Sequence, residues 1–311
     1  MKLIENLEEI KEPFKNAVIT IGNFDGVHIG HQSLLNEVVE KATEINGTAI
    51  AITFEPHPIR VLKTKNHPPL ITLYEQKVEL IEKSKIDVLI CIPFNKAFAS
   101  ISARAFIENI LVKKIGMKAI IIGKDYTFGK NREGDISLLN RFSQEMGFDV
   151  FQNDWITAPH NTFNRISSTA IRQLVIEGKL TDANKMLGRY YQVRGKVIKG
   201  RDRGGKQLGF PTANITLSDE LVPKAGVYAV TVECLNKQHH GVANIGYSPT
   251  FDDHQFTVEV HLLDFKKDIY GENIRVNFVK RIRDEKKFSN INELIEQIKK
   301  DIALAREILS A

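Results

Sequence analysis

The chain has 311 residues, 42% of them hydrophobic, with 43 basic and 38 acidic side chains and a net charge of +5. That composition excludes a disordered or collagen-like chain, and at about 100–200 residues per domain the length predicts two domains. The small basic excess reads as a mixed, solvated surface or as a match to anionic small substrates, not as a nucleic-acid signal.

The opening segment MKLIENLEEIKEPF is interrupted by Glu5, Glu8 and Glu9, so it does not read as a signal peptide. Ala17 to Ile21 reads as a buried strand that enters the turn Gly22-Asn23-Phe24-Asp25-Gly26. Residues 31–45 show helical spacing through Leu34, Leu35, Val38, Val39 and Ala42. Thr48 to Phe54 is a predicted strand, followed by helix over 74–84, strand over 87–92 and helix over 102–114. Lys118 to Gly123 is a further strand, then helix over 135–146 and an extended segment over 148–152. This alternation, with continuous apolar strand cores, predicts a parallel sheet covered on both faces. Residues 168–187 read as helical.

From about 190 the pattern changes. Tyr190 to Ile198, Gly226 to Leu235, His240 to Ile245, Gln255 to Leu263 and Asn273 to Val279 read as strands without crossover helices, which predicts an antiparallel barrel. A closing helix over 291–309 carries the stripe Ile291, Leu294, Ile295, Ile298, Ile302, Ala305 and Leu309. The two domains are placed at 1–186 and 187–311. The only cysteines, Cys91 and Cys234, fall in predicted strands, which excludes a disulfide framework and a CxxC metal site. No run reaches the roughly 18 apolar residues of a membrane span, so the expectation is a cytoplasmic protein without membrane or nucleic-acid partners.

The segment from Gly22 to His31 joins a buried strand to a helix. Helix N-termini present free N–H groups and the positive dipole end to phosphates. Gly22, Gly26 and Gly30 let backbone approach closely. His28 and His31, three apart, face one side and can donate to phosphate oxygens. A zinc reading needs further ligands, and no second cluster is evident. HIGH at 28–31, after GNFDGV at 22–27, resembles the signature of the nucleotidyltransferase superfamily. Ile166-Ser167-Ser168-Thr169-Ala170-Ile171-Arg172 resembles the ISSTxIR motif of FMN adenylyltransferases. The hydroxyls of Ser167, Ser168 and Thr169 suit a helix start, and Arg172 suits a triphosphate. The resemblance assigns ATP to Gly22, Asn23, Phe24, Asp25, His28, His31, Ser167, Ser168, Thr169 and Arg172. Two stretches similar to the same branch, Thr53–Pro58 and Gly123–Gly129, assign flavin to Phe54, Pro56, His57, Pro58, Asp125 and Phe128. Phe54 and Phe128 either line a planar ring or belong to the core. Tyr126 stands where the family usually shows Phe.

A second glycine- and cation-rich stretch, Gly200 to Asn214, includes Arg201, Arg203 and Lys206 and can fold over phosphates. It lacks the GxxxxGK[ST] pattern of a Walker A loop. Its ending, Gly209-Phe210-Pro211-Thr212-Ala213-Asn214, resembles the GFPTAN motif of riboflavin kinases. That resemblance implies ATP at Gly205, Lys206, Gly209, Phe210, Pro211, Thr212 and Asn214, with Thr212 and Asn214 as Mg²⁺ ligands. Their hydroxyl and amide oxygens are hard donors suited to that ion. Val242–Phe251 and Val258–Phe265 also match, and the resemblance makes Glu259 the general base. Arg283 and Phe288 close over the flavin in that reading, or belong to a solvated charge run. Gly188-Arg189 continues with Tyr190, where the family has Pro.

The matching segments cover roughly 16–175 and 187–309, in the order of the bacterial bifunctional riboflavin kinase/FMN adenylyltransferase (FAD synthetase) family. The resemblance implies two Mg²⁺-dependent transfers. The barrel phosphorylates riboflavin with ATP, and the N-terminal domain joins FMN to AMP with release of pyrophosphate, giving FAD. Catalytic roles fall to Glu259, His28, His31 and Arg172, the partners are small molecules, and the expected state is a monomer or weak homo-oligomer. The rival readings are a single-activity enzyme and a flavin- or nucleic-acid-binding regulator.

Overall fold

The first half forms six strands, the inner four from apolar β-branched runs: β1 (Lys2–Ile4), β2 (Ala17–Ile21), β3 (Ala49–Glu55), β4 (Val88–Pro93), β5 (Met117–Gly123) and β6 (Asp149–Asn153). A computed structural model describes residues 1–63, 67–158, 163–198, 209–215, 217, 220–247 and 256–310. The strands pair in parallel in the order β1-β4-β3-β2-β5-β6. The chain leaves β2 in one direction for β3 and β4 and in the other for β5 and β6. The switch point therefore lies between β2 and β5, where open α/β sheets bind ligands beyond the carboxyl ends.

Alternate residues along each strand serve two cores. One face buries Ile19, Ile50, Ile52, Ile90 and Ile120 with Phe106, Leu111, Leu139 and Phe142. The other sets the smaller Ala49, Ala51 and Ala119 against Leu34, Leu35 and Val38 of α1 (Ile29–Glu44). Small strand residues under α1 let that helix lie close to the sheet. The remaining helices of this unit include α2 (Tyr74–Glu82), α3 (Phe106–Ile115, wound with π geometry) and α4 (Ile136–Met146). Strand β1 was not expected from the sequence: three residues too short for a periodicity signal pair with β4.

The second unit begins with α5 (Ser168–Ile176) and α6 (Leu180–Leu187). Six strands follow: β7 (Tyr191–Ile198), β8 (Ala213–Ile215), β9 (Gly226–Cys234), β10 (Lys237–Tyr247), β11 (Phe256–Leu262) and β12 (Asn273–Arg283). They close into an antiparallel barrel in the order β10-β11-β8-β7-β12-β9. Both cysteines are buried thiols in strands β4 and β9. By packing, the chain divides at Ser167/Ser168, ahead of the 186/187 join read from sequence. Helix α6 is tied to the barrel by Asn184, whose amide donates to Phe278 O at 2.9 Å and accepts from Tyr191 N at 2.7 Å.

The closing helix α7 (Ile291–Ser310) covers one side of the barrel. Its stripe is thinner than its spacing predicts. Ile291 is 63% exposed, and the only fully buried residues of the helix are Asp301 and Ala305. Among the described residues, no helix is long and apolar enough to cross a membrane.

Candidate active sites

The loop from β2 into α1 is tightly wound. Phe24, Gly26 and Val27 have positive φ angles of 48°, 88° and 36°. Asp25 is 4% exposed, and its Oδ1 accepts the N–H groups of Ile71 at 2.9 Å and Thr72 at 3.3 Å. The Gly26 N–H donates to Thr72 Oγ1 at 3.1 Å. Asp25 thus fastens this loop to the 70–72 segment. His28, rather than Ser, Thr or Asp, is the N-cap of α1, and its Nδ1 accepts the His31 N–H at 3.3 Å. That bond requires a lone pair on Nδ1, so in the neutral ring the proton sits on Nε2, a donor. The His28 and His31 rings stack at 3.6 Å with 14° between planes, and Phe24 meets His31 edge-on at 5.3 Å. A Cβ on Gly30 would come within 3.2 Å of the His28 ring, so glycine there makes room for the imidazole.

Neighbouring loops carry the other predicted residues. After β3, His57 caps a short helix Pro58–Leu62 by accepting the Ile59 N–H at 3.1 Å, and Pro56 is exposed. Beneath them the buried Lys77 lies 3.9 Å from Glu55. Burial lowers its pKa, against the pull of Glu55 and Asp25. Phe54 belongs to an aromatic wall with Phe94 at 5.6 Å and Phe98 at 5.9 Å. Phe128 is buried in the core against Phe106 and stacks with Tyr126 at 5.5 Å. After β5, the exposed Asp125 pairs with Arg165 at 3.0 Å, and Arg165 lies over Trp155 at 4.4 Å. Phe94, Phe98, Arg165 and Trp155 were not singled out from sequence. In the second unit Ser168 and Thr169 open α5, and Arg172 Nη1 donates to Ser168 O at 3.4 Å.

In the barrel, strand pairing assembles the site. Residues directly opposite on antiparallel strands share a face. Glu259 lies opposite Asn214 on β8 and Asn244 on β10; Asn244 lies opposite Val227 on β9, and Val227 opposite Arg283 on β12. One row, Asn214–Glu259–Asn244–Val227–Arg283, therefore crosses five strands. Val258 and Val260 point into the barrel, so this row lies on the outer face. Helix α7 flanks the row and walls one side of an open cavity of about 370 Å³ lined by Phe210, Thr212, Glu259, Arg283, Phe288 and Ile298, among others. That volume falls within the roughly 300–1,000 Å³ of small-molecule sites. Burial raises the Glu259 pKa above the usual carboxylate value. Next to it, His261 Nδ1 lies 2.8 Å from Pro211 O, which braces the GFPTAN segment against β11.

Thr212 and Pro211 also line a second cavity, of about 240 Å³, with Lys266, Lys267 and Tyr270. Thr212 thus borders both cavities. Gly209 sits at φ 81°. Gly205 and Lys206, with Arg201 and Arg203, lie outside the described residues. Asn244, His261 and Asp301 were given no role from sequence; Asn244 and His261 fall in the family-matching stretches Val242–Phe251 and Val258–Phe265, and Asp301 is a carboxylate inside the apolar stripe of α7.

A metal implied by the family must fit these donors. Among the described residues no group of three His, Cys, Asp or Glu is arranged to hold a metal. Thr212 and Asn214 offer neutral hard oxygens, a set that fits Mg²⁺ completed by phosphate oxygens and water.

A family model described as FAD synthetase matches residues 10–170, and one described as riboflavin kinase matches 187–309. Curated relatives described as bifunctional riboflavin kinase/FMN adenylyltransferase align along the whole chain. The protein of Buchnera aphidicola subsp. Schizaphis graminum is 41% identical, covering 99% of this chain and 98% of its own. That of Escherichia coli K12 is 39% identical over 99% and 97%, and that of Haemophilus influenzae 38% over 100% of each. A solved structure described as a macrolide-efflux protein from Streptococcus pneumoniae superposes with a TM-score of 0.88 at 31% identity, covering 98% of both chains. Efflux is said of that protein alone. With both domain models in order and full-length relatives near 40% identity, the chain belongs to the bifunctional riboflavin kinase/FMN adenylyltransferase family.

Proposed function

We propose a division of labour between the two sites that explains the family's activity residue by residue. The function is flavin cofactor synthesis in two steps: ATP phosphorylates riboflavin to FMN, and FMN is adenylylated to FAD with release of pyrophosphate. The assignment to residues rests on one observation above others: Glu259 lies between Asn214 and Asn244 on a face of the barrel that α7 has turned into a cavity.

In the kinase step the flavin ring occupies the larger cavity, between the barrel face and the apolar side of α7. The nucleotide occupies the smaller one, where Lys266 and Lys267 suit phosphate charge. Thr212, at the border of both, marks where the phosphoryl group crosses. Glu259 accepts the proton of the ribityl 5′-hydroxyl as its oxygen bonds the γ-phosphorus. The bond from that phosphorus to the bridging oxygen breaks, and ADP leaves. A base with a raised pKa holds the transferred proton better. Thr212 and Asn214 hold Mg²⁺, which when bound neutralises phosphate charge. The family resemblance gives Gly205, Lys206, Gly209, Phe210 and Pro211 to the nucleotide; Pro211 lines the smaller cavity and Phe210 the larger, beside the shared Thr212. Arg283 and Phe288 form the rim over the flavin.

In the adenylyltransferase step an FMN phosphate oxygen bonds the α-phosphorus of ATP and pyrophosphate departs. The attacking group is already ionised, so no covalent enzyme intermediate is needed. His28 donates from Nε2 to phosphate oxygens, and His31, stacked on it, adds a second imidazole. Gly22, Asn23 and Phe24 shape the loop, and Asp25 holds it. Phe54, Pro56, His57, Pro58, Asp125 and Phe128 serve the flavin. Ser167, Ser168, Thr169 and Arg172 serve the triphosphate. The functional boundary stays at 186/187, and the protein is cytoplasmic, a monomer or weak homo-oligomer, without nucleic-acid partners. A time course of wild type and His28→Ala/His31→Ala with riboflavin, Mg²⁺ and ATP, resolved by chromatography, tests the division. The variant accumulates FMN without FAD; FAD formation at the wild-type rate removes both histidines from the mechanism.

A further inference from the structure

Helix α7 forms a wall of the larger barrel cavity through Leu294, Ile298 and Ile302. Few side chains fix its distance from the opposite wall. Of its twenty residues only Asp301 and Ala305 are fully buried. Asp301 is an acid in an apolar setting, and it is fully engaged. Arg283, at the end of β12, donates from Nε to both carboxylate oxygens at 3.0 Å and from Nη2 to Oδ2 at 2.8 Å. Gln297, one turn earlier on α7, donates to Asp301 Oδ1 at 2.9 Å. Arg283 Nη1 donates to the Asp284 carbonyl at 2.9 Å, and the guanidinium lies 5.9 Å from the Phe288 ring centroid. The fork geometry of guanidinium and carboxylate fixes direction as well as distance. Asp301 thus joins the covering helix to the last member of the row that begins at Asn214, and orients the arginine beside Phe288.

From this geometry we infer that Asp301 is a positioning residue for riboflavin: through Arg283 it sets the width of the flavin cavity and holds Phe288 at its rim. The inference rests on reading that cavity as the flavin site. Asp301 sits in the α7 wall of that cavity, with its carboxylate held by Arg283 and Gln297. Without its carboxylate, Arg283 keeps a partly buried charge that has lost its acidic partner, and α7 loses one of its two buried anchors. The predicted loss is in riboflavin binding, because Lys266, Lys267 and the nucleotide cavity are lined without α7.

The test is steady-state kinetics on full-length Asp301→Asn, with FMN adenylylation measured in the same preparation. Riboflavin KM is expected to rise about tenfold, the scale of a lost charge-assisted hydrogen bond, with a smaller change in kcat. The KM for ATP in phosphorylation and the rate of FMN adenylylation stay at wild-type values. Asp301→Glu, which keeps a carboxylate opposite Arg283, recovers part of the riboflavin affinity, because the guanidinium regains an acidic partner. Unchanged riboflavin KM, equal rises in both KM values, or Asp301→Glu no better than Asp301→Asn would overturn the inference. If Asp301→Asn fails to fold, Gln297→Leu carries the test: a severalfold rise in riboflavin KM supports the latch and an unchanged KM overturns it. Glu259→Gln, run alongside, separates the two readings. Phosphorylation that survives it refutes the flavin cavity itself, whereas its loss together with a flat Asp301→Asn result refutes the latch alone.

Discussion

In the parallel unit the candidate site hangs from loops beyond the strands; in the barrel it lies on the strands themselves. The first arrangement depends on a few backbone segments being held in unusual conformations. Phe24, Gly26 and Val27 sit at positive φ, and one buried carboxylate, Asp25, fastens the loop. The second depends on register. Asn214, Glu259, Asn244, Val227 and Arg283 meet because five strands pair in register, with two irregularities in β12 that bring Arg283 opposite Val227. A loop site is therefore sensitive to its fastenings and a strand site to what covers it.

The widest gap between the two sites is expected at Glu259. Glu259→Ala lowers riboflavin phosphorylation by about 10²–10⁴-fold, the range for a general base, and leaves FMN adenylylation intact. Assays of the two reactions on one preparation check this, and a parallel loss in a folded variant would break the separation of sites. The pH profiles sharpen the contrast. Burial raises the Glu259 pKa, so the carboxylate form is lost as pH falls through that raised value. The acid limb of kcat/KM for phosphorylation therefore lies above the ordinary carboxylate range, and adenylylation lacks that limb. Coincident acid limbs for the two reactions would remove Glu259 as the base.

A smaller effect is expected at Asp25. Asp25→Ala strands the buried N–H groups of Ile71 and Thr72. Leaving a buried donor unsatisfied costs about 1–3 kcal/mol. FAD formation from FMN falls while phosphorylation persists, and thermal melts show a transition lowered by several degrees. Equal decline of both activities would mean that the loop does not serve one site alone.

The same contrast explains what the sequence disclosed. The loop site was legible because its residues are contiguous: a strand, three glycines and two histidines within ten positions point to a phosphate-binding turn. The role of Asp25 was not, since its partners lie 46 and 47 residues away. Both fold classes were legible from the change in periodicity near 190. Strand β8 was hidden inside a glycine-rich stretch, and β1 was too short to read. In the barrel, Glu259 was visible only through resemblance, because one acid alternating with valines also describes a solvated strand face. Its neighbour Asn244 follows from register; Asp301 stood out as an acid in the stripe of α7, but its partner Arg283 follows only from helix docking, which no local pattern encodes. Ile291 was misplaced for the same reason: the stripe gives a face, but not where along the helix the barrel ends.

The smallest effect is expected at a second link between α7 and the barrel. Arg306 donates to both oxygens of Asp264 at 2.8 Å, a fork as well formed as that of Arg283 on Asp301. Its setting differs, because the Arg306 and Asp264 side chains are 49% and 75% exposed. Water replaces most of what an exposed pair gains, and salt screens the rest. Arg306→Ala is therefore expected to leave both the melting temperature and the riboflavin KM unchanged at physiological ionic strength. Melts at low and high salt, beside the Asp301→Asn kinetics, make the comparison. If Arg306→Ala weakened riboflavin binding as Asp301→Asn is expected to, the helix would be held from its far end, and burial would not be what distinguishes the two pairs.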